Sequence, residues 1–146
     1  MRLLFEMDKK DYKENGTVGI RPSVRGIIIK EKKIAMIYSK KYNYYKFPGG
    51  GALPDEQQID TLIREVKEES GLCVIRKSVR EYGFVHRVQK GIKEDIFIQD
   101  NYYYLCDTEE SIEAQQLDAY EKEEQFTLEF VTPNHAIYVN RTTEHG

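Results

Sequence analysis

The stretch Phe47-Pro48-Gly49-Gly50-Gly51 constrains this chain more than any other. Proline followed by three glycines cannot propagate a helix, and a backbone without side chains can approach another group closely. A strongly periodic segment follows. Ile59, Leu62, Ile63 and Val66 fall at offsets of three, four and seven, so they share one face of an amphipathic helix expected over Asp55 to Ser70. Asp55 is the expected N-cap. Gly71 stands where a left-handed C-cap residue belongs. The chain is therefore built around a glycine bend leading into a helix.

That helix carries Arg64, Glu65, Glu68 and Glu69, with Glu56 just ahead of it. Offsets of three and four put Glu65, Glu68 and Glu69 on one side, where like charges cost a few tenths of a kcal/mol per pair, roughly. One reading is a solvated acidic face with an ordinary Arg64–Glu68 pair at i,i+4. The other is a set of oxygen donors for a hard divalent cation, which takes a few carboxylates together with water and phosphate oxygens.

Around this helix the pattern is rich in strands. Leu3 to Met7 is an expected edge strand. Val24–Lys30 and Lys33–Ser39 are β-branched and apolar, and are expected to pair antiparallel through a turn at Lys30-Glu31-Lys32 that lacks the usual glycine. Leu72–Ile75, Glu81–Val85, a long and partly bulged Ile96–Cys106, and Phe126–Val131 complete the strands. Residues 108–124 are polar with no clean period. Thr132-Pro133 opens a final helix through about Val139. Strands interleaved with two helices imply a mixed α/β sheet covered by helices, in a single domain spanning residues 1–146.

Composition narrows the function classes. With 25 acidic and 22 basic residues the formal net charge is −3, which gives no footprint for a stable nucleic-acid partner. Cys73 and Cys106 are isolated, and read as reduced thiols in apolar text. The start, Met1 to Glu6, has too short an apolar run for a signal peptide, and no segment is long enough to span a bilayer. No membrane association is expected, and the expected compartment is the cytoplasm.

From Gly50, five residues lead to Glu56, seven more to Arg64, and then Arg64-Glu65-Val66-Lys67-Glu68-Glu69-Ser70-Gly71-Leu72. This matches G-x5-E-x7-R-E-U-x-E-E-x-G-U, with U aliphatic, at every specified position, and so the chain resembles the Nudix (MutT-like) hydrolase family. The resemblance implies an α/β/α sandwich with a mixed β-sheet, in which a loop–helix–loop holds Mg2+, with Mn2+ as an alternative. It implies Glu65, Glu68, Glu69 and the Gly49 carbonyl as metal ligands, and Gly50, Glu56, Arg64 and Gly71 as structural members of the box. Gln57 stands where the family often has a capping serine or threonine, which leaves the cap open. Family members often recruit an acidic residue from the loop before the last strand. Glu124 fits by position, with Glu123 and Glu121 as competitors and a solvated acidic loop as the plain alternative.

The implied reaction is attack of water on phosphorus in a nucleoside triphosphate or a nucleoside diphosphate derivative, with Glu65 as the first choice of general base and Glu124 the second. A noncatalytic nucleotide-sensing domain and an RNA 5′-end diphosphohydrolase are the alternatives. Arg25, Tyr45 and Phe47 are candidate contacts for the small-molecule nucleotide, although core packing and ordinary surface positions compete for them. His86-Arg87 ends a strand where it can meet the leaving group, against the ordinary reading of a satisfied histidine. Subfamily signatures for ADP-ribose, diadenosine polyphosphates and coenzyme A are missing. A homodimer through the N-terminal edge strand is compatible with the sequence, which does not demand it.

Overall fold

The computed structural model describes residues 1–13, 15–92 and 94–143. Fifteen elements are taken here in chain order. They are β1 (Leu3–Asp8), β2 (Val18–Ile20), β3 (Ser23–Ile27), β4 (Ile29–Lys30), β5 (Lys33–Ser39), β6 (Tyr44–Lys46), β7 (Gly49–Gly51), α1 (Gln58–Ser70), β8 (Leu72–Val74), β9 (Arg80–Gln89), β10 (Ile96–Leu105), β11 (Thr108–Ile112), α2 (Ala119–Glu123), β12 (Phe126–Val131) and α3 (Pro133–Thr142).

The largest sheet runs β1-β9-β10-β3-β7, with β2 also beside β10. It is mixed. The β9–β10 and β3–β7 pairs are antiparallel, whereas β1 joins β9, and β2 and β3 join β10, in parallel. A second sheet runs β12-β5-β4 with β6 on β5, and a small third sheet pairs β11 with β8. The aliphatic face of α1 holds these layers together. Leu62 and Val66 are fully buried against Val24, Ile28, Ala35, Leu72, Val74, Tyr104 and Cys106, which come from all three sheets, the link between β3 and β4 and the residues just after β10. On the far side of β5, α3 packs Ala136 against Met36, Tyr45 and Val131. The α/β character expected from the sequence is present, with the strands divided among three sheets.

The expected hairpin forms only in part. Ile29–Lys30 pairs with Lys33–Ile34, while Ser23–Ile27 crosses into the large sheet between β10 and β7. The apolar run is thus shared between two sheets, because burial on both faces is met by leaving one sheet for the other. The tight turn puts Glu31 at φ 52° and Lys32 at φ 66°. These are the left-handed values that a two-residue hairpin requires and that asparagine and glycine adopt most easily.

The helix also starts later than expected. Asp55 is not its N-cap but sits at φ 64° in the preceding turn, and Gln57 occupies the cap position without a side-chain bond. The end matches expectation: Gly71 at φ 82° sends its N–H to Lys67 O. Two elements fall where no period was legible, β11 and α2. Asp118 and Glu121 close a reciprocal capping box on α2. Gln116 N–H donates to Glu68 O, Glu113 N–H to Gly71 O, and the Gln115 amide to Glu69 O, so residues 113–116 are strapped over the carbonyl end of α1. That strap carries α2 to the site described below. Cys106 is buried and Cys73 half-buried, both as free thiols. No helix among the described residues is long and apolar enough to cross a membrane.

Replacing Glu31 with Asn and Lys32 with Gly together should relieve the left-handed strain at the turn and stabilise the fold by about 0.5–1 kcal/mol. Urea unfolding checks this: the midpoint should rise with an unchanged slope, and an unchanged or lower midpoint would refute the strain argument.

Candidate active site

Strand β7 is the edge of the large sheet next to β3, and it is made only of glycine. A Cβ on Gly50 would run into the Glu65 carboxylate, so the missing side chain is what lets that carboxylate lie on the strand. Gly49 has φ 144°, and a Cβ there would strike Val24 O. Its N–H donates to Glu69 Oε1 at 3.2 Å. The glycine bend and α1 therefore meet through two carboxylates.

Arg64 is the hub. Its Nε and Nη2 clasp both oxygens of Glu56 at 2.8 and 2.9 Å. Nη1 reaches Glu65 at 2.9 Å and Glu68 at 3.3 Å, and Nη2 also donates to Gly51 O at 3.3 Å. Glu56 further accepts from Leu53 N–H and Thr61 Oγ1. The guanidinium holds the Glu56 carboxyl down to about 2. The loop, the first turn and the middle of α1 are thus clamped by charge-assisted bonds.

The three box carboxylates separate. Glu65 and Glu69 line a cavity of about 350 Å³ with Arg21, Ser23, Arg25, Lys46, the three glycines of β7, Gln99, Asp118, Tyr120 and Glu121. Glu68 lies outside it, bound to Arg64 and 38% exposed at its side chain. Glu69 is 1% exposed and pairs with Lys46 Nζ at 3.1 Å. Burial pushes its carboxyl up to about 7, opposed by Lys46 and Arg25 and reinforced by a hydrogen bond with Glu121. Burial likewise raises Glu65, with Arg64 pulling the other way. Among the described residues no three His, Cys, Asp or Glu side chains are yet gathered around one point that would suit a metal ion.

Cationic side chains line the same cavity. Residues two apart on a strand share a face, and Ser23 and Arg25 on β3 both line this cavity. Arg25 Nη1 donates to Phe47 O at 3.2 Å and to Gly49 O at 3.1 Å, so the carbonyl expected to meet a metal accepts from an arginine here. The Ser23 hydroxyl is 1% exposed and has no partner among the described residues. Unmade hydrogen bonds of this kind are costly unless a ligand or water completes them.

Other expected residues lie elsewhere. Glu124 is buried, accepting from Tyr44 OH at 2.8 Å and from Ser39 Oγ at 3.4 Å, and it lines a neighbouring tyrosine-rich cavity. Of the three late glutamates, Glu121 is the one that faces Glu65 and Glu69. Tyr45 is a core residue, 6% exposed, stacked near Tyr38 and bonded to Glu129. Phe47 contacts Tyr103 edge-on and lines an apolar cavity of about 640 Å³ with Leu4, Ile27 and Pro133. Its carbonyl bond to Arg25 connects that apolar cavity to the carboxylate one. His86 is satisfied by Asp100 at 2.6 Å. Sequence reasoning missed Arg21, Ser23, Lys46, Gln99, Asp118 and Tyr120. Only the Asp118-x-x-Glu121 capping box carried a readable signal.

The NUDIX domain model matches residues 19–145. Among solved structures, the fold is similar to a NUDIX hydrolase from Nitrosomonas europaea (TM-score 0.61, 14% identity, covering 84% of this chain and 79% of that one). It is also similar to the ORF135 protein of E. coli (TM-score 0.58, 20% identity, 84% and 80%) and to an ADP-ribose pyrophosphatase from Streptococcus suis (TM-score 0.51, 19% identity, 77% and 73%). At such identities the likeness speaks for the fold. No curated protein sequence matches.

Two outcomes follow from the electrostatics. Glu56→Gln should cost about 2 kcal/mol at pH 7. The folded-state pKa of Glu56 is depressed, so its contribution is complete above about 4.5 and is lost as pH falls towards 2; urea melts should show parent and variant converging over that window. Glu69 behaves oppositely. Its raised pKa means that the parent loses stability as pH rises from about 4.5 to about 7. In chelator, Glu69→Gln should therefore gain on the parent across that range, by roughly 2 kcal/mol at its upper end. A flat difference would contradict the buried, ionising carboxyl.

Proposed function

Because the chain belongs to the NUDIX family, whose hydrolases act on pyrophosphate bonds, we propose that it is a magnesium-dependent diphosphohydrolase of nucleoside triphosphates or nucleoside diphosphate derivatives. The observation that carries this reading is the cavity that Glu65, Glu69 and Glu121 line together with Arg21, Arg25, Lys46 and the glycine strand.

The donor chemistry suits a hard divalent cation. Glu65, Glu69 and Glu121 present carboxylate oxygens to one cavity, and at Glu65 and Glu69 the cost of burial outweighs the pairing with Arg64 and Lys46. These three are the residues proposed to hold magnesium, and manganese meets the same donor preference. Glu68, turned to Arg64, keeps the helix charge in balance in this arrangement. Bound there, the ion would neutralise phosphate oxygens and acidify a water molecule.

The chain's own groups supply the rest. Arg25 and Arg21 are placed to take nonbridging oxygens of the diphosphate, and the Ser23 hydroxyl is free to donate to one of them. Glu65 is the proposed general base. Desolvation raises its basicity, and Arg64 fixes its orientation. The transition state spreads charge over phosphate oxygens, so positioning and electrostatics carry most of the catalysis. The apolar cavity lined by Phe47 and Ile27 suits the nucleoside base, reached past Arg25. Attack on one phosphorus would release a nucleoside monophosphate with a phosphorylated remainder, or with pyrophosphate if the substrate is a triphosphate. The intact acid set supports catalysis over nucleotide sensing alone.

A panel of nucleoside diphosphate derivatives and triphosphates with magnesium, read by phosphate or pyrophosphate release, tests the reading. Parent activity should vanish in chelator. Glu69→Gln should lower kcat by about 100-fold or more while remaining folded, and Glu121→Gln should cost more than Glu124→Gln. A fully active Glu69→Gln would overturn the site assignment.

A further inference from the structure

A second polar cavity of about 640 Å³ adjoins the first, sharing Lys46 and Tyr120 with it. Its remaining lining is Tyr42, Tyr44, Tyr45, Arg87 and Glu124. The charged groups here are unevenly engaged. Glu124 is held by Tyr44 and Ser39. Lys46 pairs with Glu69 and lies over the Phe126 ring at 4.2 Å. Arg87 alone is left over: its Nε is buried without a hydrogen-bond partner, and it makes no ion pair among the described residues. A buried guanidinium N–H left without an acceptor is costly, and an oxyanion is the partner the half-buried Arg87 suits best.

Strand geometry explains why this arginine stands there. Arg87 is on β9, where it pairs with Met7 of β1 on one side and Gln99 of β10 on the other. Gln99 lines the carboxylate cavity. The neighbouring residue His86 is occupied by Asp100, so the two halves of the His86-Arg87 pair differ: one is satisfied inside the sheet, the other is not.

We propose that Arg87 receives a phosphate group lying beyond the scissile linkage, and so selects substrates with an additional phosphate on the leaving side. The inference rests on the carboxylate cavity being the diphosphate site. From there the chain of phosphates passes Lys46, which borders both cavities, and ends on the Arg87 guanidinium of the second one. Glu124 also borders this space, and its carboxylate would repel a phosphate. Its bonds from Tyr44 and Ser39 hold it against β5 and β6, and that anchorage leaves the guanidinium to meet the anion. A substrate whose leaving arm is a neutral sugar presents nothing to Arg87.

The test compares a nucleoside triphosphate with a nucleoside diphosphate sugar of the same base, using the parent, Arg87→Gln and Arg87→Lys. The ratio of kcat/KM for triphosphate over sugar derivative should fall about 30-fold in Arg87→Gln, and less in Arg87→Lys, which keeps the charge without the fork. An unchanged ratio in Arg87→Gln overturns the proposal, even if both activities drop together. Calorimetric titration with inorganic pyrophosphate and magnesium supplies a readout free of turnover. Affinity should weaken about tenfold or more in Arg87→Gln, and equal affinity overturns the proposal. A parent that hydrolyses neither substrate would count against the diphosphohydrolase reading itself, and the pyrophosphate titration would still decide the role of Arg87. Arg87→Lys serves as the folded comparison should Arg87→Gln unfold.

Discussion

The grip of Arg64 on Glu56 is the interaction on which the rest of the site depends. Two parallel N–H···O bonds fix the guanidinium plane, and with the plane fixed its remaining donors can point only at Glu65, Glu68 and the Gly51 carbonyl. A lysine could neutralise one of these partners but could not orient all of them. The glycine strand stays against α1 because its carbonyl is one of those partners. Glu65 can lie against it because Gly50 has no Cβ. Remove the clamp and the acidic turn loses the charge that offsets its own repulsion.

The crowding of carboxylates on α1 is therefore resolved by dividing them. Arg64 takes Glu65 and Glu68, and Lys46 of β6 takes Glu69. The division gives the two cavity carboxylates unlike environments. Glu69 is nearly sealed from water, and Glu65 is half-sealed with an arginine on one oxygen. Carboxylates in unlike surroundings titrate apart, and such separation lets neighbouring acids take different roles. On β3, strand alternation does the sorting. Val24 and Gly26 turn to α1, while Ser23 and Arg25 turn to the cavity.

What the sequence made legible was whatever a local rule controls. The aliphatic stripe of α1, the left-handed Gly71, the bulged β10, the residues of β12 and the Thr132-Pro133 start of α3 all follow from period, cap or backbone preference acting within a few residues. What was lost depended on partners far along the chain. The run from Val24 to Ser39 looks like one hairpin, but its first half finds β10 and β7 instead, a choice made by long-range pairing. Asp55 has the chemistry of a cap, yet with the Glu56–Arg64 clamp in place the cap falls two residues later, at Gln57. In the acidic stretch before β12 position favours Glu124, with Glu123 and Glu121 as competitors. The strap of residues 113–116 over the end of α1, and the capping box at Asp118, decide that Glu121 turns inward while Glu124 is taken up by Tyr44.

The charge balance of the cavity bears on what can enter it. Three cations, Arg21, Arg25 and Lys46, face four carboxylates, Glu65, Glu69, Asp118 and Glu121. A diphosphate arriving alone would add negative charge to a wall that already holds more acids than bases, at a desolvated spot where Coulomb terms are several-fold stronger than in water. A diphosphate arriving with a divalent cation leaves that balance almost unchanged. The arginines then meet phosphate oxygens while the buried carboxylates meet the cation, and neither set must be protonated or left unpaired. The net charge of −3 therefore says little about this cavity, which gathers Arg21, Arg25 and Lys46 from separate segments among its acids.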